Sequence, residues 1–174
     1  MGFAPAMADC INDAAAHHGV NEHVLRAIGW HESRLKPHAI NRNRNGTVDI
    51  GAFQINTIHL PMLRSYGVDE RALRDGCIAA YVGAWHLKRQ MVRLGDTWDA
   101  VGAYHSDTPP RRRWYANQIA SVLMQWGVMP RGSLPFTGVP LLAANQPNPT
   151  VVARADSPRP LEVQASASIF DSTN

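Results

Sequence analysis

Apolar residues recur at helical spacing through most of the first 127 positions of the chain. Asn21 and Thr108 precede two of these periodic segments as expected N-caps, and Gly95 follows a third where a helix should end. The pattern predicts five helices, over residues 8–19, 21–33, 77–94, 98–105 and 108–126.

The intervening segments are less regular. Residues 36–50 contain the run NRNRNG and are predicted to form a long polar surface loop. Residues 54–65 and 69–75 are compatible with shorter helices. Because no stretch shows the alternation of a β-hairpin, we expect a mainly α fold.

The composition changes near the C-terminus. Residues 131–174 hold six of the twelve prolines and lack any sustained period, so they bury too little apolar surface to offset their ordering entropy. We therefore predict an N-terminal remnant (1–7), one folded domain (8–127) and a proline-rich flexible tail (128–174). Partial docking of the tail through LPFTGVPLL, residues 134–142, is left open.

Composition and charge exclude several classes of protein. The chain has 174 residues, 45% hydrophobic and 18% charged, which is typical of one globular domain. Its net charge of +3 is scattered apart from Arg111–Arg113, which we interpret as a solvated helix face. Since no focused basic stripe is present, we do not expect the protein to bind nucleic acid. We expect a monomer.

The two cysteines, Cys10 and Cys77, belong to no C-x-x-C pair. A disulfide between them is the simplest interpretation and would imply an oxidising compartment; two buried free thiols are the alternative. The N-terminus lacks a complete signal peptide, but its Ala-Pro-Ala and Ala-Met-Ala runs resemble a cleavage remnant. We expect an exported and trimmed protein.

Glu32 is the first candidate for chemistry. It follows Ile28 by four residues and Leu25 by seven, which places a carboxyl on the apolar stripe of its predicted helix. An apolar environment raises the pKa of a carboxyl, as a general acid at neutral pH requires. The alternative is a structural role, in which Glu32 faces a buried arginine or caps nearby amides.

His31 and Glu32 also resemble the start of the zinc motif H-E-x-x-H. The second histidine of that motif would fall at Leu35, so one ligand of the helical pair is missing. We expect neither a metal ion nor a cofactor.

Two further stretches carry suitable polar groups. In DIGAFQIN, Gly51 permits close backbone approach, Phe53 offers an apolar wall, and the amides of Gln54 and Asn56 suit sugar hydroxyl and N-acetyl groups. A loop entering an amphipathic helix would explain this stretch equally well. In VGAYHS, the hydroxyl of Tyr104 is placed to hydrogen-bond a carboxylate, although a packing role is the alternative.

Taken together, these stretches resemble the soluble lytic transglycosylase family, with its goose-type-lysozyme-like fold, over residues 8–127. The second motif, usually Gly-Leu-Met-Gln-Ile, occurs as GAFQI at 51–55, and the third, usually Ala-Tyr-Asn-Ala-Gly, as AYHSD at 103–107. The first motif is matched by Glu32, Ser33, Leu35, Pro37, Ala39 and Asn41.

The resemblance implies a compact helical domain with a cleft and a defined reaction. Glu32 would be the acid/base that cleaves the β-1,4 bond between N-acetylmuramic acid and N-acetylglucosamine in peptidoglycan, forming a 1,6-anhydro product. Asp49 would support that reaction or, as the alternative, act with Glu32 in a lysozyme-like hydrolysis. The substrate-binding residues would be Ser33, Gly51, Phe53, Gln54, Asn56, Tyr104 and His105.

The biological setting follows from a finer resemblance. The Tyr-His-Ser variant, the loop ending in Asp49, the small size and the cysteine pair are similar to specialised periplasmic members that accompany secretion or conjugation machines. We therefore expect peptidoglycan strands as substrate and local wall opening for such an assembly, whose components the tail could contact. A non-catalytic wall-binding protein is the alternative of another class.

Overall fold

The computed structural model describes residues 6–139, with side chains from Asp9 onward. The fold is mainly helical, as predicted. Its helices and strands are α1 (Ala6–His18), α2 (Glu22–Ser33), β1 (Ile40–Arg42), β2 (Val48–Ile50), β3 (Ile55–Asn56), α3 (Leu60–Leu63), α4 (Gly76–Leu94), α5 (Trp98–Ala103) and α6 (Pro109–Gln125). None of the described helices is both long and apolar enough to cross a bilayer.

The predicted helix ends are largely those of the structure. Asn21 caps α2 by accepting hydrogen bonds from the backbone N–H groups of His23 and Val24, at 2.9 and 3.1 Å. Gly95 follows α4 with a φ of 76°, which a residue without a Cβ adopts at little cost. Thr108 precedes α6, although its side chain makes no capping bond. The prediction overran the ends of α5 and α6 by two residues and one residue.

A disulfide joins α1 to the first turn of α4. Cys10 and Cys77 are bonded, with their Cα atoms 5.1 Å apart, so the disulfide interpretation is confirmed over two free thiols. The two helices also pack along their lengths, and the buried face of α1 adds Ile11 and Ala14 to the core. The covalent link therefore reinforces a contact that apolar packing already makes.

Phe53 lies at the centre of the core. A Cβ added at Gly29 of α2 would lie 3.0 Å from its ring, and one added at Gly83 of α4 would lie 2.7 Å from it. These two glycines let both helices approach the ring, which is fully buried. The loop between β2 and β3 is thereby anchored inside the domain.

The predicted surface loop, residues 36–50, contains the first two strands of a small antiparallel sheet, in the order β1-β2-β3. Ile40 pairs with Ile50 and Asn41 with Asp49, while Asp49 also pairs with Asn56 on β3. The prediction was wrong because the strands are two or three residues long, and all of β1 is exposed, so no apolar alternation marks them. The sheet places the polar side chains of Asn41, Asp49 and Asn56 near the end of α2.

The segments predicted as short helices contain less α-helix than expected. Residues 54–65 hold β3, a 3-10 turn at Thr57–His59 and the four-residue α3, and residues 69–75 contain only a 3-10 turn at Ala72–Arg74. The Asn56 side chain accepts a bond from Ile58 N at 3.0 Å, which favours a turn over a continuous helix.

The chain continues past α6 and returns onto it. Residues 134–139, here called the strap, lie against α6, and the Asn117 side chain donates to Phe136 O at 2.7 Å and accepts from Phe136 N at 3.1 Å. Partial docking of the predicted tail is thus confirmed for the strap. The predictions for residues 1–5 and 140–174 lie outside the described residues.

Candidate active site

Glu32 lies in the last turn of α2, whose end is fixed by neighbouring backbone. Arg34 adopts a left-handed conformation with a φ of 59° and closes the helix. The Ser33 hydroxyl donates to Ala52 O at 2.7 Å and accepts from Lys36 N at 2.9 Å. Ser33 therefore ties the Glu32 turn to the loop before Phe53, and its hydroxyl serves the protein's own backbone.

Tyr115 of α6 is the direct partner of Glu32. Its hydroxyl donates to Glu32 Oε1 at 2.5 Å, and the tyrosine is 1% exposed. Burial, followed by the nearby Glu32 charge, raises the pKa of Tyr115 well above its usual value, so the phenol stays a neutral donor. The bond fixes one carboxyl oxygen and leaves the other for chemistry.

The carboxyl of Glu32 holds its proton unusually well. Burial raises its pKa from 4.5 to about 7; the Tyr115 hydrogen bond opposes this, and the charge of Asp49 adds to it. At neutral pH the acid and the carboxylate are therefore both populated. A group in this state can donate a proton and later accept one.

Two neutral imidazoles enclose the Tyr115 ring. His105 stacks on it with ring centroids 4.9 Å apart and planes within 1°, while His31 meets it edge-on at 5.2 Å. Burial is the main cause that lowers the pKa of His31 to about 4 and also lowers the pKa of His105. Both rings are thus uncharged at neutral pH, so they do not stabilise the Glu32 anion.

The carboxylate of Asp49, on β2, accepts hydrogen bonds from three side-chain amides. One carboxylate oxygen accepts from Asn41 at 3.1 Å and Asn43 at 2.9 Å, and the other accepts from Asn56 at 2.6 Å. Its charge acts on Glu32 and His105, so it belongs to the same centre. Of the two roles predicted for Asp49, these bonds favour support over water activation.

The residues of the second motif, 51–55, make their contacts inside the protein. Gly51 has a φ of 79°, and a Cβ there would lie 2.1 Å from Leu73 O, so only glycine fits. The Gln54 side chain donates to Gly51 O at 2.9 Å and to Ala39 O at 3.3 Å. Phe53 is fully buried, so the prediction that it lines the sugar site was wrong: its ring fills the core instead.

Tyr104 makes its hydrogen bonds with the protein backbone. Its hydroxyl donates to Phe53 O at 2.9 Å, and its backbone carbonyl accepts from His86 Nε2 at 3.1 Å. Of the two roles considered for Tyr104, the packing role is the one observed, because Tyr115 makes the hydrogen bond to the Glu32 carboxyl. A signal for Tyr115 was available, since it shares a helical face with Ile119 and Val122, where a buried hydroxyl needs a partner.

The fold and site define a class of protein. In a small helical domain, the carboxyl of Glu32 is partly protonated at neutral pH and accepts a hydrogen bond from the buried Tyr115. The nearby Asp49 is bound by three side-chain amides. Among the described residues no cluster of His, Cys, Asp or Glu is suited to hold a metal ion. These features are those of a lysozyme-like enzyme that cleaves glycosidic bonds by acid/base chemistry.

Comparisons with known proteins identify the family. Residues 9–121 match the family described as the transglycosylase SLT domain. Invasion protein IagB of Salmonella typhimurium is 42% identical over 108 residues, covering 62% of this chain and 68% of that protein. Protein IpgF of Shigella flexneri is 36% identical over 107 residues, covering 61% and 70%. The peptidoglycan-binding-like protein of Escherichia coli O157:H7 is 34% identical over 131 residues, covering 68% and 77%.

The chain therefore belongs to the transglycosylase SLT family and is a peptidoglycan lytic transglycosylase. The resemblance drawn from the three motifs is confirmed, and peptidoglycan is the substrate class.

Proposed function

We propose that the enzyme cleaves the bond between N-acetylmuramic acid and N-acetylglucosamine without water. The protonated Glu32 gives its proton to the glycosidic oxygen, and that bond breaks as positive charge develops at the anomeric carbon. The resulting Glu32 carboxylate then accepts the proton of the muramic acid 6-hydroxyl, whose oxygen attacks the same carbon. The products are a 1,6-anhydro ring and a free 4-hydroxyl, and Glu32 is protonated again.

The observation that carries this proposal is the contrast between the two carboxyl groups. The pKa of Glu32 is raised to about 7, so this one group can serve in both steps. The oxygens of Asp49 accept three amide hydrogen bonds, which leaves it poorly suited to activate water. In this proposal Asp49 supplies negative charge near the developing oxocarbenium centre and raises the pKa of the acid.

We propose that most of the remaining site residues position other groups of the protein, and that one of them contacts the glycan. Ser33, Gly51 and Gln54 hold the backbone under the sugar, since their bonds or close contacts are internal. Asn56 holds Asp49, and Tyr104 holds the loop at Phe53. His105 keeps exposed surface and is the member of the predicted set best placed to contact the glycan.

The proposed setting is the periplasm, where the enzyme would open the wall locally for an envelope-spanning secretion or conjugation assembly. The similarity to a protein named for invasion supports a specialised task. The Cys10–Cys77 disulfide supports an oxidising compartment. Assembly components are the proposed partners.

The test is mass spectrometry of muropeptides released from purified peptidoglycan by the wild-type protein, Glu32→Gln and Asp49→Asn. We expect anhydro ends, lighter than hydrolysed ends by one water, from the wild type and, more slowly, from Asp49→Asn. Glu32→Gln should release nothing.

The other outcomes separate the alternatives. Reducing ends that require Asp49 would identify a hydrolysing muramidase. A wild-type protein that binds the wall and releases no product would be a non-catalytic binder.

A further inference from the structure

An ion pair joins α5 to α6 where the two helices are in close contact. Arg112 Nε lies 2.8 Å from Asp99 Oδ1, and the two side chains are 18% and 35% exposed. Both of these atoms are buried, and neither has a hydrogen-bond partner elsewhere among the described residues. Each charge therefore depends on the other for compensation, because an unpaired buried charge is costly.

The backbones of the same two helices meet beside this pair. A Cβ added at Gly102 of α5 would lie 2.1 Å from Arg112 O and 2.6 Å from Arg112 Cγ, so glycine is required for this approach. Gly102 follows Asp99 by about one helical turn. The glycine thus sets how close α6 lies to α5, and the ion pair sets where along α5 it lies.

The catalytic centre is one helical turn further along α6. Tyr115 follows Arg112 by three residues, and its hydroxyl donates to Glu32 Oε1 at 2.5 Å. The end of α5 leads into Tyr104 and His105, whose rings stack on that of Tyr115 with centroids 6.4 and 4.9 Å away. A shift of α6 along α5 would therefore move the Tyr115 hydroxyl away from Glu32. A displacement of about 1 Å in a catalytic site is enough to slow a reaction strongly.

The Asp99–Arg112 pair differs in its surroundings from the other ion pairs of the described residues. Those pairs are about half exposed or more, and they are His23–Glu22, Arg64–Glu70 and Arg93–Asp107. Exposed pairs contribute little to stability, whereas a shielded pair can specify one arrangement of the elements that it joins.

We propose that Asp99 and Arg112 are positioning residues for catalysis: their ion pair holds α6 at the place along α5 from which the Tyr115 hydroxyl reaches Glu32. The pair acts through Tyr115. The inference rests on the proposed function in taking Glu32 as the acid, but the contact that it concerns can be measured without substrate.

The test is a pH titration of the Glu32 carboxyl by ¹³C NMR, in the full chain labelled at its four glutamates. Glu32→Gln assigns the signal. Because the Tyr115 hydrogen bond lowers the pKa of Glu32, displacing Tyr115 should raise it. We expect Asp99→Asn and Arg112→Gln each to raise this pKa by about half a unit. Both should also slow the release of anhydro products by about tenfold.

The signs of the shifts exclude a direct effect of charge. Removing the negative charge of Asp99 would by itself lower the pKa of Glu32, whereas removing the positive charge of Arg112 would raise it. Shifts of opposite sign would therefore overturn the inference. Asp96→Asn is the matched control, because it makes the same change at an exposed position three residues earlier. An equal rise in this control would also overturn the inference.

Tyr115→Phe decides whether the pair acts through Tyr115. On that background neither substitution should raise the pKa of Glu32 further, because the hydrogen bond is already lost. A further rise there, or an unchanged pKa in both single variants, would contradict the positioning role. Arg112→Lys keeps the charge on a different side chain and should shift the pKa in the same direction, so the test does not depend on the folding of Arg112→Gln. If the pKa values move as expected but no anhydro products form, the proposed function fails and the positioning role remains.

Discussion

Replacing Glu32 by glutamine should remove activity at every pH. It should also stabilise the protein, by an amount that grows as the pH rises above about 4.5 and is complete above about 7. In wild type, the folded state must bury a carboxylate once Glu32 ionises, and burial is what raises its pKa. Glutamine has nearly the same shape, carries no charge, and can still accept the hydrogen bond of Tyr115. The substitution therefore removes a cost of ionisation and retains the contact.

The size and sign of the effect follow from the pKa. Between the usual value of 4.5 and the folded value of about 7, the folded state binds more protons than the unfolded state, so stability falls as the pH rises. Because one pKa unit corresponds to about 1.4 kcal/mol, the cost above the folded pKa is about 3 kcal/mol. Below the usual value the carboxyl is neutral in both states and the cost vanishes.

The assay is urea denaturation of both proteins at about pH 8.5 and about pH 4, where the linkage contribution is complete and absent respectively. We expect Glu32→Gln to be about 3 kcal/mol more stable at the higher pH and nearly equal to wild type at the lower. Equal stabilisation at both values would show a packing effect, and destabilisation at the higher value would refute a raised pKa.

Glu22→Gln is the control for this comparison. It makes the same change on α2 at an exposed position, where the carboxylate lies in the first helical turn. Removing a negative charge there should lower stability by about 0.5 kcal/mol at the higher pH, the opposite sign.

The remaining predictions concern Tyr115 and the disulfide. Because the Tyr115 hydrogen bond lowers the pKa of Glu32, Tyr115→Phe should shift the alkaline limb of the kcat/KM profile upward by about one pH unit while lowering kcat; an unmoved limb would exclude Glu32 as the acid that limits this profile. Reducing the Cys10–Cys77 disulfide, which closes a loop with a sequence separation of 67, should lower the free energy of unfolding by about 4 kcal/mol. Identical denaturation curves with and without reductant would contradict that expectation.

Locally determined features of this chain could be predicted from sequence. The Asn21 cap, the end of α4 at Gly95 and the position of Glu32 on the apolar stripe of α2 each depend on residues close in sequence. The burial expected from Ile28 and Leu25 is what raises the pKa of Glu32. Short-range geometry therefore sufficed to place a carboxyl in apolar surroundings, which made Glu32 a candidate for chemistry.

The features missed depend on contacts between distant segments. Tyr115 and Glu32 are 83 residues apart and meet because α2 and α6 pack together. Phe53 is buried because two glycines on separate helices leave space for its ring, which no local pattern reveals. The hydroxyl of Tyr104 donates to the backbone carbonyl of the buried Phe53, and the hydroxyl of Tyr115 donates to the carboxyl of Glu32.

The proposed mechanism uses one carboxyl in both steps, and the described partners of Glu32 suit that use: Tyr115 is a neutral donor, and the nearby charge of Asp49 is negative. A cation in contact with Glu32 would lower its pKa and leave a carboxylate that is rarely protonated, whereas loss of the Tyr115 hydrogen bond would raise its pKa and favour the protonated acid. His105 occupies the position where the family usually has asparagine, and an imidazolium there would upset this balance. Burial lowers the pKa of His105, so the ring stays neutral near pH 7 and packs flat on Tyr115. The histidine is thus compatible with the proposed mechanism because its lowered pKa keeps it uncharged near pH 7.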